Sequence, residues 1–379
     1  MRVAIFHDYF GAIGGGERVA LTLARALGAT IYTTDVNRTS VERLGFGDVR
    51  LESLGALIQR VPLKQVHASL RFALARADAE VYVLSGNWAV YAGRRHHPNV
   101  TYCYTPVRAF YDLREQVLLR QEGAIRRGLA RAWIAGHGAA DRIAWSQADR
   151  VIAISENTRR RIATYLGRDA FIVYPPTDVA RYRFEAVGDF WLSVNRLYPE
   201  KRLEIQFEAF RRLPRERLVV IGGYAHGDHA ERYVGTLNPP SNVEMRGEVD
   251  ESELARLYSR CRGLICTAQD EDFGMTPVEA MASGKFVLAA DEGGFRETII
   301  PGETGLLLPP TPEAFARAIA SVTAEDLERR SEACRRRAMD FDISRFLAAM
   351  RAVLEDAASG DASRKPTLLA TPPYRRAPP

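Results

Sequence analysis

The sequence predicts an α/β chain built from two successive doubly wound parallel sheets, followed by a helical C-terminal region. Three observations carry that prediction. Short apolar runs of strand length alternate with helical stretches from Val3 to Leu308, as βα units do. The consecutive prolines of Tyr174-Pro175-Pro176-Thr177-Asp178 interrupt the series once, stopping a strand and stiffening a connector. A chain of 379 residues also exceeds what one hydrophobic core ordinarily serves.

In the first half, strands are expected at Val3 to His7, Thr30 to Thr34, Val81 to Ser85, Val100 to Tyr104, Val151 to Ile154 and Phe171 to Tyr174, with helices such as Glu17 to Leu27 and Gln65 to Ala77 between them. In the second half the strands are Trp191 to Asn195, Arg217 to Ile221, Asn242 to Met245, Leu264 to Thr267, Phe286 to Ala290 and Gly305 to Leu308, with helices including Leu203 to Leu213 and Glu251 to Cys261. After Pro312 the chain reads as helical to about Glu355. Residues 357–379, rich in Pro, Ala, Ser and Arg without an apolar period, read as a disordered tail. Two such lobes, 1–176 and 177–340, imply a cleft, with ligands outside the carboxyl ends of the strands.

Composition narrows the function. An apolar fraction of 46% and a charged fraction of 26% are those of a globular protein. No run of eighteen apolar residues and no signal-peptide pattern is present, so a cytoplasmic location is expected. Cys103, Cys261, Cys266 and Cys334 lack metal-ligand spacing and read as reduced core thiols. The net charge of +5 is modest and no nucleic-acid-binding module is recognisable, so nucleic acid is not an expected partner. Arginines cluster from Arg108 to Arg161; most read as solvated helix faces, but gathered beside Leu129, Trp133 and Ile134 they would suit an anionic membrane surface. His96-His97, His226 and His229 read as loop residues rather than metal ligands.

Three loops hold the candidate chemistry. Glu271-Asp272-Phe273-Gly274-Met275-Thr276-Pro277-Val278-Glu279 reads as the end of a strand, a loop and a helix start. Thr276 is the expected N-cap, with Pro277 at the first helical position and Glu279 at the third. The free N–H groups of that turn suit an anion such as a diphosphate. Thr276 and Glu279 also fit a capping box, in which Glu279 folds back on its own helix and binds nothing. In the second loop, Arg196 and Lys201 lie after a strand, where two cations would neutralise a departing diphosphate. The third, Gly11-Ala12-Ile13-Gly14-Gly15-Gly16-Glu17-Arg18, follows the first strand and opens a helix, which suits close backbone approach to a phosphate or sugar. A plain tight turn explains it equally well. His7, ending the first strand, is a candidate acceptor contact.

These loops together resemble family 4 of the retaining glycosyltransferases, the glycosyl transferases of group 1, which share the GT-B fold. The matching features are Gly14-Gly15-Gly16-Glu17-Arg18-Val19, the Arg196 to Lys201 loop, the Glu-x7-Glu motif from Glu271 to Glu279, and Gly302-Glu303-Thr304-Gly305-Leu306. The resemblance implies two Rossmann-like domains facing a cleft, with a C-terminal helix at 341–356 that crosses back to complete the first. It implies that Arg196 and Lys201 contact the donor diphosphate and that Glu271 lies near the hydroxyls of the transferred sugar. The backbone from Phe273 through Gly274, Met275 and Thr276 would hold sugar and phosphate, Glu279 the ribose, and the segment around Arg246 the base. Where the family carries a histidine that contacts the donor sugar, this chain has Tyr104.

With no Asp-x-Asp motif in a suitable loop, cations are expected to serve in place of a metal, and no cofactor is expected beyond the nucleotide-sugar co-substrate. The expected activity is retaining hexosyl transfer to a carbohydrate or lipid-linked acceptor in cell-surface polysaccharide or glycolipid assembly. Likeness to bacterial mannosyltransferases favours GDP-mannose. The alternatives are a UDP-sugar enzyme with a small soluble acceptor and an inactive nucleotide-sugar-binding regulator. A glycosidase pair would need an apolar pocket that this polar loop lacks, and the four lysines offer no evident anchor for a phosphorylase's pyridoxal cofactor.

Overall fold

Parallel strands covered on both faces need nearly continuous apolar runs, and the chain supplies them in two series. The computed structural model describes residues 1–11, 14–224 and 229–360. Ala12 and Ile13 of the glycine loop, His226 and most of the expected tail, residues 361–379, lie outside the described residues. The described chain divides into two units, Met1–Tyr174 with the chain from Phe346 onward, and Pro175–Arg345.

Unit 1 holds β1 (Val3–Phe10), β2 (Thr30–Val36), β3 (Leu51–Ser53), β4 (Val81–Ser85), β5 (Asn99–Cys103), β6 (Arg150–Ala153) and β7 (Phe171–Ile172). All pair in parallel, in the order β3-β2-β1-β4-β5-β6-β7. Unit 2 holds β8 (Phe190–Val194), β9 (Arg217–Ile221), β10 (Val243–Gly247), β11 (Leu264–Cys266), β12 (Val287–Ala290) and β13 (Gly305–Leu308), in the order β10-β9-β8-β11-β12-β13 and again parallel. The strand order reverses once in each sheet, between β1 and β4 and between β8 and β11. There the loops leaving neighbouring strands part to opposite faces and open a crevice.

The sequence reading misses β3, whose three residues are too short for a period to register. It also gives no bounds to the helix Ala124–Trp145, because arginine and small residues mask its single buried stripe of Ile134, His137, Asp141 and Ala144. Ile134 is thus a core residue and not part of an outward face with Leu129. His96 is also buried; its Nδ1 donates to the Ala92 carbonyl at 2.7 Å and its Nε2 accepts from the Ala77 N–H at 3.2 Å, so it is a packing residue. The last helix runs Ile343–Ala358, two residues into the stretch read as disordered. From Phe346 it belongs to unit 1, where Phe346 meets the Tyr102 ring edge-on at 6.0 Å and Asp356 accepts from the Arg150 guanidinium at 3.0 Å. All four cysteines are buried thiols.

Asp141 is the least comfortable group in unit 1. It is fully buried; one oxygen accepts from the Tyr111 hydroxyl at 3.1 Å. Burial pushes its carboxyl up to about 7 against the pull of Tyr111, Arg142 and Trp145. The native state therefore holds this proton more tightly than the unfolded chain does. The stability that Asp141 contributes should fall as the pH rises from about 4 to about 7. In Asp141→Asn, which keeps an acceptor for Tyr111, melting temperatures across that range should lose this slope.

Candidate active site

In unit 2 the crevice lies between the carboxyl ends of β8 and β11, and the loops leaving both strands are tied together. The Thr267 hydroxyl donates to the Lys201 carbonyl at 2.7 Å and accepts from Gln206 Nε2 at 2.8 Å, while the Gln269 N–H donates to the Glu200 carbonyl at 2.8 Å. This stitching brings Lys201 Nζ to 2.6 Å from Glu271 Oε2, with both side chains about four-fifths buried. Burial pulls the Lys201 ammonium down, but Glu271 outweighs it and holds the pKa above the ordinary lysine value. Arg196 opposes that shift as a neighbouring cation; it is exposed, its guanidinium 5.6 Å from the centre of the Tyr198 ring. The two predicted cations and Glu271 are thus gathered at one place.

Arg202, which the sequence reading passed over, holds this loop pair. Its Nε donates to the Thr267 carbonyl at 2.7 Å, Nη2 to the Ala268 carbonyl at 3.1 Å, and both Nη atoms to Glu292 at 3.2 and 2.9 Å. Glu292 also accepts the Asp270 N–H at 3.0 Å. Arg202 and Asp270, at φ of 50° and 48°, are the non-glycine residues with left-handed backbone among those described, and both stand beside the Lys201–Glu271 pair. Such conformations persist only where surrounding bonds enforce them. Gly293, at φ 54°, lies so close to the Glu271 backbone that a Cβ would stand 2.3 Å from its carbonyl oxygen. The strand-end tetrad Asp291-Glu292-Gly293-Gly294 was the available signal for this support.

The helix after the loop is Met275–Ala282, with Gly274 as its N-cap at φ 91°. The start is two residues earlier than expected: Thr276 is the second helical residue, not the cap, and Pro277 the third. The glycine makes the difference, since it turns the chain into the helix where a side chain would be strained. Pro277 still costs no hydrogen bond in the first turn, and the N–H groups of Met275 and Thr276 fall where no intrahelical acceptor exists. The capping-box alternative fails, because Glu279 accepts from the Tyr258 hydroxyl at 2.9 Å and is drawn off the helix start. Phe273 is buried, with Phe341 at 5.4 Å. Arg246 sits apart on the edge strand β10, its guanidinium 2.6 Å from Glu244 and 3.6 Å from Glu253.

In unit 1 the crevice lies between β1 and β4, where His7 pairs with Ser85 in register. The Tyr104 hydroxyl donates to the Gly16 carbonyl at 2.8 Å, so it accepts from the Ser85 hydroxyl at 2.9 Å. Ser85 in turn accepts from His7 Nδ1 at 3.0 Å. This chain fixes a neutral His7 with its proton on Nδ1 and a buried, unpartnered Nε2 lone pair; burial lowers its pKa accordingly. Gly14 caps the helix Gly15–Leu27, and its N–H donates to Glu17 at 2.8 Å. Gly15, Gly16 and Glu17 are therefore first-turn residues. His7, Tyr104 and Gly16 form one cluster, while Glu17 is engaged in its own cap.

Residues 180–339 match the family model for glycosyl transferases group 1. Among curated relatives, an alpha-1,3/1,6-mannosyltransferase of Dictyostelium discoideum is 32% identical over 35% of this chain and 37% of its own length. A D-inositol 3-phosphate glycosyltransferase of Kineococcus radiotolerans is 30% identical over 51% of this chain and 54% of its own. The chain spans about half the length of the curated relatives it matches. In fold it is similar to HepE of Anabaena, solved in complex with UDP and glucose, with a TM-score of 0.72 over 94% of this chain and 99% of that one at 19% identity. The two parallel-sheet units are those of the GT-B fold.

Proposed function

We propose, for a chain whose residues 180–339 carry the sequence of the glycosyl transferases group 1 family, that the protein transfers a hexosyl residue from a nucleotide-sugar with retention of configuration. The observation that carries the reading is the Lys201–Glu271 pair, set at the switch point of the second sheet beside the first turn of helix Met275–Ala282. As the glycosidic bond of the donor breaks, the leaving diphosphate gains negative charge. Arg196, Lys201 and the helix N-terminus place fixed positive charge and dipoles to meet it, without a metal ion. Glu271, oriented by Lys201, accepts from the hydroxyls of the transferred sugar. Glu279, held by Tyr258, binds the ribose, and the Arg246 segment flanks the base.

The donor in this proposal is GDP-mannose, supported by the mannosyltransferases among the relatives. A UDP-sugar is the second reading, favoured by the UDP that HepE carries. The acceptor is a carbohydrate or lipid-linked glycan met by unit 1, where His7, Tyr104 and the Gly14 to Glu17 turn line the sheet end, at the inner face of the cell membrane. Incubating the protein with GDP-mannose or UDP-glucose and lipid-linked glycan acceptors should release the nucleoside diphosphate and give a product with the donor's anomeric configuration, read by NMR. An inverted product, or nucleotide binding without turnover on any donor, would contradict it.

A further inference from the structure

Successive residues of a strand turn to opposite faces, so two neighbours in sequence can serve different parts of the fold. Toward the carboxyl end of β1, His7 and Asp8 do so. His7 reaches Ser85 and, through it, Tyr104 and the Gly16 carbonyl in the first turn of the helix Gly15–Leu27. Asp8 instead takes the segment that leaves β4. Its Oδ2 accepts the Asn87 N–H and its Oδ1 the Trp88 and Ala89 N–H groups, each at 2.8 Å. Gly86, at φ 120°, makes room for this, since a Cβ there would stand 2.5 Å from the carboxyl carbon of Asp8. One side chain thus holds each wall of the unit 1 crevice.

A buried carboxylate is a costly group with which to hold a loop. Burial pushes Asp8 up to about 6 although the three N–H groups pull it down. What the loop presents is Asn87. From Val81 to Val90 every residue is buried except Asn87, which is partly open to solvent. Its N–H is committed to Asp8, and the next residue, Trp88, is anchored by stacking on the His137 ring at 5.1 Å. Among the described residues the Asn87 carboxamide itself takes no hydrogen-bond partner. A carboxamide offers a donor and an acceptor side by side and carries no charge. It matches adjacent hydroxyls on a neutral sugar ring, each of which both donates and accepts, better than a phosphate, which only accepts.

We propose that Asn87 grips the terminal sugar of the acceptor through two adjacent hydroxyls, and that Asp8 is the positioning residue that holds Asn87 for this contact. The inference rests on the proposed placing of the acceptor in unit 1 and narrows that acceptor to a neutral glycan end with a free vicinal diol. Its test reads glycan binding without donor or turnover, so its failure and the failure of the transferase reading are told apart.

Saturation-transfer difference NMR of the full chain with soluble trisaccharides ending in mannose, glucose, galactose or N-acetylglucosamine identifies the bound sugar. Its dissociation constant is then compared across the wild type, Asn87→Ala, Asp8→Asn and the double variant. Asn87→Ala is expected to weaken binding about tenfold, the loss of a carboxamide's hydrogen bonds to a neutral ligand. In Asp8→Asn one side-chain oxygen becomes an NH₂ that cannot accept, so at least one of the three N–H groups loses its partner and binding should weaken by a similar factor. The double variant should bind no more weakly than either single one, because Asp8 acts through Asn87. Thermal shifts with nucleoside diphosphates, which report on unit 2, should match the wild type throughout. No binding of any of these glycans to the wild type, unchanged affinity in Asn87→Ala, or effects that multiply in the double variant would overturn the proposal. So would an Asp8→Asn protein that melts earlier yet keeps wild-type affinity, since Asp8 would then serve the fold alone. Should Asp8→Asn fail to fold, Asn87→Ala still decides the contact, because it removes a side chain with no partner among the described residues.

Discussion

Glu271→Ala is expected to lower the transfer rate by roughly 10²- to 10³-fold, the loss seen when one preorganised transition-state contact is removed. The Lys201–Glu271 geometry explains why the effect should fall on the rate more than on folding. The pair is partly open to solvent, so its loss leaves Lys201 able to rehydrate rather than stranded in a dry core. Glu271→Gln keeps a hydrogen-bond acceptor for Lys201 but not the negative charge. If charge is what Glu271 contributes, Gln and Ala will be about equally slow; if position is, Gln will recover most of the rate. Comparison of kcat for both variants at matched melting temperature decides it. A rate near that of wild type in Glu271→Ala would remove the residue from the mechanism.

Arg202→Ala should produce the largest loss of stability in unit 2, on the order of 2–3 kcal/mol. It removes four guanidinium hydrogen bonds, two of them to backbone carbonyls that are left short of a donor. Alanine must also hold the positive φ of 50° that Arg202 adopts. Arg202→Gly loses the same bonds but meets that backbone angle without strain, so it should be less damaging than Arg202→Ala by about 1 kcal/mol. Elsewhere glycine is usually the worse replacement, so this reversed order in urea unfolding is diagnostic. Lys at this position keeps the charge but not the fork that reaches both carbonyls and Glu292, and should rescue little.

The strands of both units, β3 apart, were legible because parallel strands buried on both faces write themselves as apolar runs such as Val81 to Ser85 and Val287 to Ala290. Pro175-Pro176 stands where the units divide for a comparable reason, since prolines end strands. Arg196, Lys201 and Glu271 were legible from their positions in loops after strands. What escaped were contacts between loops distant in sequence. Arg202 looks like the neighbour of a functional lysine until Glu292, 90 residues away, is seen to receive it. Tyr258 looks like a buried helix residue until its hydroxyl is found on Glu279. The helix start was misplaced because capping propensity favoured Thr276, whereas the backbone turn required Gly274. The outward leucines of Leu63–Leu74 could not be separated by spacing from the inward face, since a row at three- and four-residue intervals does not say which side meets the core.

The central claim is that Arg196, Lys201 and the Glu271 to Glu279 segment form a metal-independent site for a nucleoside diphosphate. Thermal unfolding of the wild type and of Lys201→Met with GDP, UDP and ADP, each with and without Mg²⁺, tests it most directly. Ligand at about 100 times its dissociation constant adds roughly 2.7 kcal/mol to a protein that binds it. One diphosphate should raise the wild-type melting temperature equally with and without the metal, and the shift should largely vanish in Lys201→Met. No shift with any of the three, a shift that requires Mg²⁺, or an undiminished shift in Lys201→Met would contradict the account.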